Sequence, residues 1–322
     1  MVVRLENEAA KRGNSMGLFG GMVGLALGII LVVKGGDAFV EAAGGLARGL
    51  GLPSFLIGAT VVSLATTLPE VMVSVLAAAQ GKVDMAVGNA LGSVTANTGL
   101  ILASGLVLMS GARLGRNLKI PCLFLLGAMV MLWISCAKGA LEIWGAVALA
   151  GICAGFLGYN IRQASKEILQ EKKETAGAWV WKFLLGAAAI AGGSQLLIHG
   201  GSAIAAAVGI PERIVAVTLL AVGTSLPELV TTLTAVKKGE TALSIGNIIG
   251  ANIIDLTLIL PLSSLASGGK LPLTEQNIFV DLPGCAATLA VAAIPMILGR
   301  KTARVQGVLL WILYACYLIC SV

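Results

Sequence analysis

Long apolar segments set the strongest limit on how this chain can fold. A helix needs about 20 apolar residues to cross the hydrocarbon core of a bilayer, and ten stretches of the chain approach or exceed that length. They lie at 17–48, 53–79, 84–109, 118–136, 140–160, 180–208, 211–236, 241–267, 277–298 and 305–321. The sequence therefore predicts an all-α integral membrane protein with ten transmembrane helices, embedded in a lipid bilayer.

Composition favours helices over a transmembrane β-barrel. Hydrophobic residues make up 57% of the chain and charged residues only 12%, which is far from the composition of soluble domains. A barrel would alternate polar and apolar residues in segments of about ten residues, and the sequence shows no such pattern. The 42 glycines suit helices that pack closely through small residues.

The two halves of the chain repeat one another at an offset of 158 residues. The sequence LPE occurs at 68–70 and at 226–228, and GNALGS at 88–93 corresponds to GNIIGA at 246–251. Each half holds five predicted spans, an odd number, so the second copy is expected to enter the membrane from the opposite face. Inverted repeats of this kind are common in secondary transporters, whose binding sites lie near the midplane.

The repeat divides the chain into two five-helix units joined by one polar segment. The first unit is predicted at 1–160, with its repeat motif at 58–98, and the second at 179–322, with its motif at 216–256. Residues 161–178 form the linker, which is too short to be a domain.

Lysine and arginine set the predicted orientation of the chain. The face that carries the loops after spans 1, 3, 5, 7 and 9 has about twice as many of these residues as the other face, and such an excess marks the cytoplasmic side. Both termini are therefore predicted outside the cell membrane and the 161–178 linker inside. The net charge of +6 follows largely from this asymmetry and needs no nucleic acid partner. The first apolar stretch is too long for a signal peptide, so an uncleaved first span is expected.

Each LPE motif places a glutamate beside a proline in the middle of an apolar span. Pro69 and Pro227 lack an N–H and are predicted to break helices 2 and 7 just before the glutamates, which frees backbone carbonyls. A charged carboxylate at the centre of a bilayer costs about 3 kcal/mol even by the lower insertion estimates. Glu70 and Glu228 therefore need a partner that cancels their charge.

The span after each motif adds a second pair of polar groups. Asn97 and Asp255 each lie 27 residues beyond the glutamate of their own half. Glycines four residues apart precede both, at 88 and 92 and at 246 and 250, a spacing that lets two helix backbones approach closely. Oxygen ligands without His or Cys suit Na⁺, Ca²⁺ or Mg²⁺, and Ca²⁺ accepts a flexible shell of about six to eight oxygens. The sequence thus predicts a transported cation and no cofactor.

The other polar and sulfur-bearing residues of the spans are interpreted structurally. Lys34, Asp37 and Glu41 are predicted to form a local salt bridge on the first span, and Asp281 to be an interfacial or packing residue. His199 is expected to pack or to form a hydrogen bond between helices. The cysteines are predicted to be small buried hydrophobic residues; they are Cys122, Cys136, Cys153, Cys285, Cys316 and Cys320.

The two repeat motifs resemble those of the cation/calcium exchanger superfamily, specifically the prokaryotic sodium/calcium exchangers. AVGTSLPE at 221–228 and GNIIGANIID at 246–255 are close to the second repeat of that family, and the likeness covers nearly the whole chain. The resemblance implies a Na⁺/Ca²⁺ antiporter rather than an enzyme, with three Na⁺ positions around a central Ca²⁺ position. It also implies alternating access, in which the first and sixth spans slide over the rest, and we expect a monomeric functional unit.

The resemblance implies a role for each matching residue. Glu70 and Glu228 would be the central Ca²⁺ carboxylates, joined by carbonyls of Thr66 and Thr224; Thr67, Ser93, Ser225 and carbonyls near Ser63 and Ala221 would help to hold Na⁺; Asn97 and Asp255 would complete the middle of the site. Potassium-dependent relatives have an aspartate in place of Asn97, so the asparagine favours a potassium-independent exchanger.

Four positions depart from the family pattern and leave the choice of ion open. Ala65 replaces a glycine, Thr67 a serine and Val94 an asparagine, while Ala251 replaces a serine and removes one hydroxyl. Buried carboxylates also carry protons, so a proton-coupled cation antiporter of the same superfamily stays an alternative. A cation channel is a further alternative from a different class. The chain lacks HExxH and aspartate-rich motifs of intramembrane enzymes.

Overall fold

Helices make up almost all of the computed structural model, which describes residues 2–108, 118–166, 176–207, 225–299 and 304–321. The α-helices, in chain order, are α1 (Val2–Gly49), α2 (Ser54–Ile57), α3 (Ser63–Ala79), α4 (Val83–Ala96), α5 (Ala103–Leu108), α6 (Lys119–Ser135), α7 (Ile143–Lys166), α8 (Ala176–Ala207), α9 (Leu226–Lys237), α10 (Thr241–Ile254), α11 (Leu260–Ala266), α12 (Leu282–Ile297) and α13 (Arg304–Ser321). Within the described residues, four π-helical turns adjoin these helices, π1 (Gly58–Val62), π2 (Asn97–Leu102), π3 (Asp255–Ile259) and π4 (Asn277–Asp281), and two short strands occur, β1 (Ala140–Glu142) and β2 (Lys270–Pro272).

Eight helical segments of the described chain are long and apolar enough to cross a membrane. They are Phe19–Gly49, Ser54–Ala79, Val83–Leu108, Ile143–Ala164, Trp179–Gly201, Thr241–Ala266, Asn277–Ile297 and Arg304–Ser321. The predicted span 118–136 corresponds to Lys119–Ser135, an apolar helix of 17 residues. The predicted span 211–236 is described only from residue 225 onward, as part of Leu226–Lys237.

Polar side chains lie inside the protein and many large apolar side chains lie outside it. Trp144 is 80% exposed and Ile319 is 77% exposed, whereas hydroxyl, amide and carboxylate side chains are buried between the helices. This arrangement suits a protein that is surrounded by lipid. Lipid cannot form hydrogen bonds with polar groups, so these groups lie inside the protein and apolar side chains cover the outer surface. The prediction of a helical membrane protein is thus confirmed.

Glycines bring α1 and α8 into backbone contact along much of their length. A Cβ placed on Gly28 would lie 2.9 Å from the carbonyl oxygen of Gly193, and one on Gly200 would lie 2.7 Å from that of Gly21. A Cβ on Gly186 would lie 2.7 Å from the backbone nitrogen of Phe39. Small residues at such positions allow dispersion contacts between helices that lipid cannot supply. The two helices therefore form one tightly packed pair.

A second glycine contact joins the two halves of the chain. Cβ atoms placed on Gly246 and Gly250 of α10 would collide with the carbonyl oxygens of Phe55 and Ala59 in the α2–π1 segment. The predicted close approach at this glycine pair is confirmed, and the neighbour it approaches belongs to the other repeat. For the matching pair in the first half, a Cβ on Gly88 would meet no described atom within 4 Å.

The first LPE helix is irregular at a different place from the predicted one. Pro69 lies inside the continuous helix α3, whereas the helix widens one turn earlier, at π1, which immediately precedes Ser63. In the second half, Ser225 precedes α9 and Pro227 lies in its first turn. The residues before Ser225 that were predicted to unwind lie outside the described part of the chain. The break expected at the first proline is thus wrong, since the helix continues through it.

Contacts between loops show which loops share a face of the molecule. Strand β1 pairs with β2 in an antiparallel register, Leu141 opposite Leu271, which ties the loop after α6 to the loop after α11. These strands are not predicted from the sequence. On what the sequence predicts to be the opposite face, Arg48 of α1 lies 3.7 Å from Glu240 in the turn before α10.

Several structural interpretations of single residues need correction. Asp37 and Glu41 do not pair locally with Lys34, because they face lysines of other helices at 3.7 Å and 2.6 Å; these are Lys238 and Lys182. His199 is exposed, and its Nδ1 lies 2.7 Å from the Gln195 carbonyl oxygen of its own helix, so the bond is not between helices.

The prediction that the cysteines are buried is correct for four of the six, and Asp281 is a buried packing residue. Four cysteines are buried as predicted, but Cys316 and Cys320 of α13 are exposed, because they lie on the outer side of that helix. Asp281 is buried and accepts hydrogen bonds from the Asn277 amide at 2.8 Å and from the Tyr317 hydroxyl at 2.9 Å. Both of its oxygens are thus occupied by packing partners.

Candidate cation site

Three acidic side chains and one amide lie buried where the two halves of the chain meet. Glu70 and Glu228 are each 1% exposed, Asp255 is fully buried and Asn97 is 2% exposed. Glu70 lies on α3 and Glu228 on the first turn of α9, while Asn97 and Asp255 are the first residues of π2 and π3. A π-helical turn is a wider turn inside an α-helix, and such turns are frequent at functional sites. The same irregularity therefore occurs at equivalent positions of both repeats.

Hydrogen bonds within this group join one repeat to the other. The Thr67 hydroxyl donates to Oε1 of Glu228 at 3.2 Å, and the Asn97 amide donates to Oδ2 of Asp255 at 3.4 Å. The second pair consists of residues separated by the repeat offset of 158. In both pairs the first half supplies the donor and the second half supplies the carboxylate.

Several oxygens of the group accept no hydrogen bond from the described residues. They are Oε1 and Oε2 of Glu70, Oε2 of Glu228, Oδ1 of Asp255, Oδ1 of Asn97 and the hydroxyl oxygen of Ser225. Leaving a buried acceptor unpaired costs about 1–3 kcal/mol, and more for a charged group. Three buried carboxylates with few donors give this group an excess of negative charge that a cation would offset.

The donor set determines what kind of ion the group could hold. No three His, Cys, Asp or Glu side chains of the described chain form a cluster that would bind a metal by themselves. An ion there would therefore take hydroxyl, amide and carbonyl oxygens in addition to carboxylates. Such hard, mixed oxygen shells are typical of Na⁺ and Ca²⁺.

Further residues of the predicted site surround this group. Ser63, Thr66 and Ser93 are buried. The Thr66 hydroxyl lies 3.3 Å from both the Ser63 carbonyl oxygen and Oδ1 of Asn247. The two remaining predicted ligands, Thr224 and Ala221, lie outside the described residues.

Two asparagines support the site and were missed by the sequence analysis. The Asn89 amide donates to the Ser74 hydroxyl at 2.8 Å and to the Glu70 carbonyl oxygen at 3.4 Å, while Asn247 accepts from Thr66. They occupy equivalent positions in the two repeats, directly after the first glycine of each GN sequence. That identity at the repeat offset was the signal that could have found them.

The long apolar helices define a multi-pass membrane protein, and oxygens are the ligands that Na⁺ and Ca²⁺ prefer. The family model described as "Sodium/calcium exchanger protein" matches residues 20–162 and 178–322. The chain therefore belongs to the sodium/calcium exchanger family, whose members are membrane antiporters and not enzymes.

Individual relatives agree with this assignment. The chain is 33% identical to the putative antiporter CaxA of Alkalimonas amylolytica, over 90% of this chain and 95% of that protein. It is 28% identical to the sodium/calcium exchanger MaX1 of Methanosarcina acetivorans, over 92% and 96% respectively. Its structure is similar to that of the sodium-calcium exchanger NCX_Mj, with a TM-score of 0.85, 28% identity and coverage of 95% of this chain and 99% of that one. The family resemblance inferred from the motifs is confirmed.

Proposed function

We propose that this protein exchanges Na⁺ for Ca²⁺ across the cell membrane by alternating access to one buried carboxylate site near the midplane. The observation that carries the proposal is the set of unpaired, buried carboxylate oxygens of Glu70, Glu228 and Asp255. These oxygens lie at the contact between two helical repeats, each of which supplies part of the site.

The charge and type of each oxygen ligand suggest which ion it binds. Glu70 and Glu228 bind Ca²⁺ together with carbonyls of Thr66 and Thr224, because two carboxylates balance its double charge. Hydroxyls of Thr67, Ser93 and Ser225 and carbonyls near Ser63 and Ala221 contribute to Na⁺ binding, with Asn97 and Asp255 in the middle. Since Na⁺ and Ca²⁺ then compete for the same carboxylates, occupancy by one ion drives out the other, which couples the two fluxes.

The proposed architecture is ten transmembrane helices arranged as inverted repeats, 1–160 and 179–322. Both termini lie outside the cell and the 161–178 linker lies in the cytoplasm, because the faces differ in Lys and Arg content. The tightly packed pair α1 and α8 contains the first and sixth spans, which move as one unit in the proposed cycle. The lipid bilayer and the two ions are the partners, and the functional unit is a monomer.

Ion flux into lipid vesicles tests the proposal. Purified protein is reconstituted in vesicles loaded with Na⁺ and then diluted into Na⁺-free buffer with radiolabelled Ca²⁺. We expect Ca²⁺ uptake that disappears when the Na⁺ gradient is collapsed, and no uptake in vesicles that carry the Glu228→Gln variant. Uptake that follows a pH gradient and ignores the Na⁺ gradient would contradict sodium coupling. Persistent single-channel currents in a planar bilayer would contradict a carrier.

A further inference from the structure

Four buried polar side chains lie on α9 and α10, the two helices joined by the turn that contains Glu240. Thr231, Thr232 and Ser244 are at most 1% exposed, and their hydroxyl groups form no hydrogen bond with the described residues. The Nδ2 atom of Asn247, which is fully buried, is likewise unpaired within the described chain. Polar groups inside a membrane protein are costly unless water or an ion contacts them, so this cluster needs an explanation.

On each helix these groups form a row along one face. In α9, Thr231 and Thr232 lie three and four residues after Glu228, and in α10, Ser244 lies three residues before Asn247. Residues three or four apart share one face of a helix. The two rows therefore run from the Glu228 carboxylate and the Asn247 amide toward the α9–α10 turn.

The two rows converge at both ends. At the end near the carboxylate site, consecutive residues of α3 contact them, because Thr67 donates to Glu228 at 3.2 Å and Thr66 donates to Oδ1 of Asn247 at 3.3 Å. At the other end the chain turns directly from α9 into α10, and the two helices pack against each other. The rows therefore border one path between the buried carboxylates and the face that carries the α9–α10 turn.

A partly exposed carboxylate lies at the surface end of the two rows. Glu240 precedes Ser244 by four residues and so continues the α10 row into the turn. Its side chain is 29% exposed and lies 3.7 Å from Arg48 of α1, while its other oxygen accepts a hydrogen bond from Ser54 at 3.1 Å. A carboxylate at the mouth of a path favours the entry of cations over anions.

The equivalent helices of the first repeat, α3 and α4, are less polar. Three positions differ in character at the offset of 158: Thr231, Ser244 and Glu240 correspond to Val73, Ala86 and Lys82. Where the first repeat keeps polar side chains, at Ser74 and Asn89, the two bond to each other at 2.8 Å. The unpaired polar rows are therefore a property of the second repeat and do not follow from the duplicated fold.

We propose that Thr231, Thr232, Ser244 and Asn247 line the passage by which cations move between the buried carboxylate site and the face of the α9–α10 turn. Their oxygens replace part of the water shell of an ion that crosses apolar surroundings, which lowers the barrier to its movement. Polar groups within transmembrane segments commonly mark such ion pathways. The inference rests on the proposed Na⁺/Ca²⁺ exchange and extends it, because it assigns the route to the face that is predicted to be cytoplasmic.

Replacing two hydroxyls by the residues of the first repeat tests the passage. The variant combines Thr231→Val with Ser244→Ala, and Ser263→Ala is the control, because Ser263 is a fully buried serine of α11 whose hydroxyl also lacks a partner among the described residues. We expect the maximal rate of Na⁺-driven Ca²⁺ uptake to fall about three- to tenfold in the double variant, the effect of losing a neutral polar contact, and to stay within about twofold of the wild type in the control. The dissociation constant of Ca²⁺, measured by thermal melting in detergent, should change by less than about twofold in both, because the carboxylates are untouched.

Thiol labelling of purified protein shows whether water reaches the passage. Ser244→Cys and Ala86→Cys occupy equivalent positions of the two repeats, and both wild-type residues are buried. Each is introduced into a variant whose native cysteines are replaced by alanine or serine. We expect the small cationic reagent methanethiosulfonate ethylammonium to modify Ser244→Cys and inhibit Ca²⁺ uptake, and to leave Ala86→Cys unmodified.

The alternative outcomes separate this inference from the proposed function. A wild-type maximal rate in the double variant would overturn the passage, as would a Ser244→Cys variant that reacts no faster than Ala86→Cys. Weaker Ca²⁺ binding in the double variant at an unchanged maximal rate would also overturn it, because the hydroxyls would then act on the site and not on the route. Absence of Na⁺-driven uptake by the wild type would instead contradict the proposed function, and the thiol reactivity of Ser244→Cys would still decide whether water reaches this path.

Discussion

At the scale of single residues, the two LPE glutamates are costly to bury because several of their oxygens have no hydrogen-bond donor in the described part of the chain. Both oxygens of Glu70 and one of Glu228 accept no hydrogen bond from the described chain, and two like charges in a low-dielectric site repel strongly. A bound divalent cation removes both penalties. Stability and ion binding should therefore be linked at these two positions.

Replacing either glutamate by glutamine should abolish Ca²⁺ transport without unfolding the protein. The amide keeps the size of the side chain but removes the charge that balances Ca²⁺. In wild-type protein, Ca²⁺ at 100 times its dissociation constant should stabilise the fold by about 2.7 kcal/mol, and Glu70→Gln and Glu228→Gln should lose this stabilisation. Melting curves with and without Ca²⁺, together with vesicle flux, measure both effects. Glu142→Gln, at an exposed position of β1, is the matched control and should behave as wild type.

The hydroxyl group of Thr67 should contribute more to the stability of the protein than its methyl group does. Thr67→Val keeps the shape but removes the donor to Glu228 Oε1, which leaves one more buried carboxylate oxygen unpaired and should cost about 1–3 kcal/mol in cation-free buffer. Thr67→Ser keeps the donor and should stay within about 1 kcal/mol of the wild type. Chemical denaturation in detergent compares the two variants. A larger loss in Thr67→Ser than in Thr67→Val would show that the methyl packing matters instead of the hydrogen bond.

The repeat made some site residues predictable and others not. Glu70, Glu228, Asn97 and Asp255 stood out because carboxylates and amides in apolar spans are costly, and all four are buried at one contact. Asn89 and Asn247 carry no charge and lie beside glycines, so their cost is smaller and they were overlooked. Their roles become visible only when the fold shows which carbonyl or hydroxyl each one faces.

At the scale of helices, hydropathy located nearly all of the segments but not their irregular turns. Length and apolar composition are sufficient to place a membrane helix because every backbone group must bond within it. A π-helical turn such as π1 adds only one residue to a turn, and no proline lies within it. Its position depends on the packing of Gly58 against the backbone of α10, a tertiary contact that local sequence does not encode.

The glycine contact between α1 and α8 gives a prediction at this scale. Gly28→Ala would place a methyl carbon 2.9 Å from the Gly193 carbonyl oxygen, so the helices must separate, and overpacking of this kind typically costs about 1–3 kcal/mol. Gly127→Ala on α6 meets no described atom within 4 Å and should be neutral or stabilising by up to about 1 kcal/mol. Thermal melting in detergent measures both. An unchanged melting temperature in Gly28→Ala would mean that α1 and α8 can separate at this point without loss of stability.

At the scale of the whole molecule, contacts between loops follow the alternation that the sequence predicts. The loops that carry Lys138 and Lys270 are joined by the β1–β2 pair. Asp84 accepts a hydrogen bond from Thr274 at 2.9 Å, which adds a third loop to the same face. On the other face, Arg48 in the last turn of α1 contacts Glu240, in the turn that follows α9. Loops that are predicted on the same face therefore contact one another. The pairing of β1 with β2 depends on tertiary structure and is not predicted from the sequence.

Which of these faces is cytoplasmic can be tested by labelling in intact cells. Single cysteines at Lys138 and at Lys237, both exposed, are introduced into a variant whose native cysteines are replaced by alanine or serine. Because positively charged loops stay in the cytoplasm, we expect a membrane-impermeant maleimide to react with Lys138→Cys from outside and to reach Lys237→Cys only after the membrane is permeabilised. Lys270→Cys lies on the same face as Lys138 and should react in the same way as Lys138→Cys, which serves as an internal control. The reverse pattern would invert the proposed topology, whereas labelling of all three positions from outside would contradict the predicted number of spans between them.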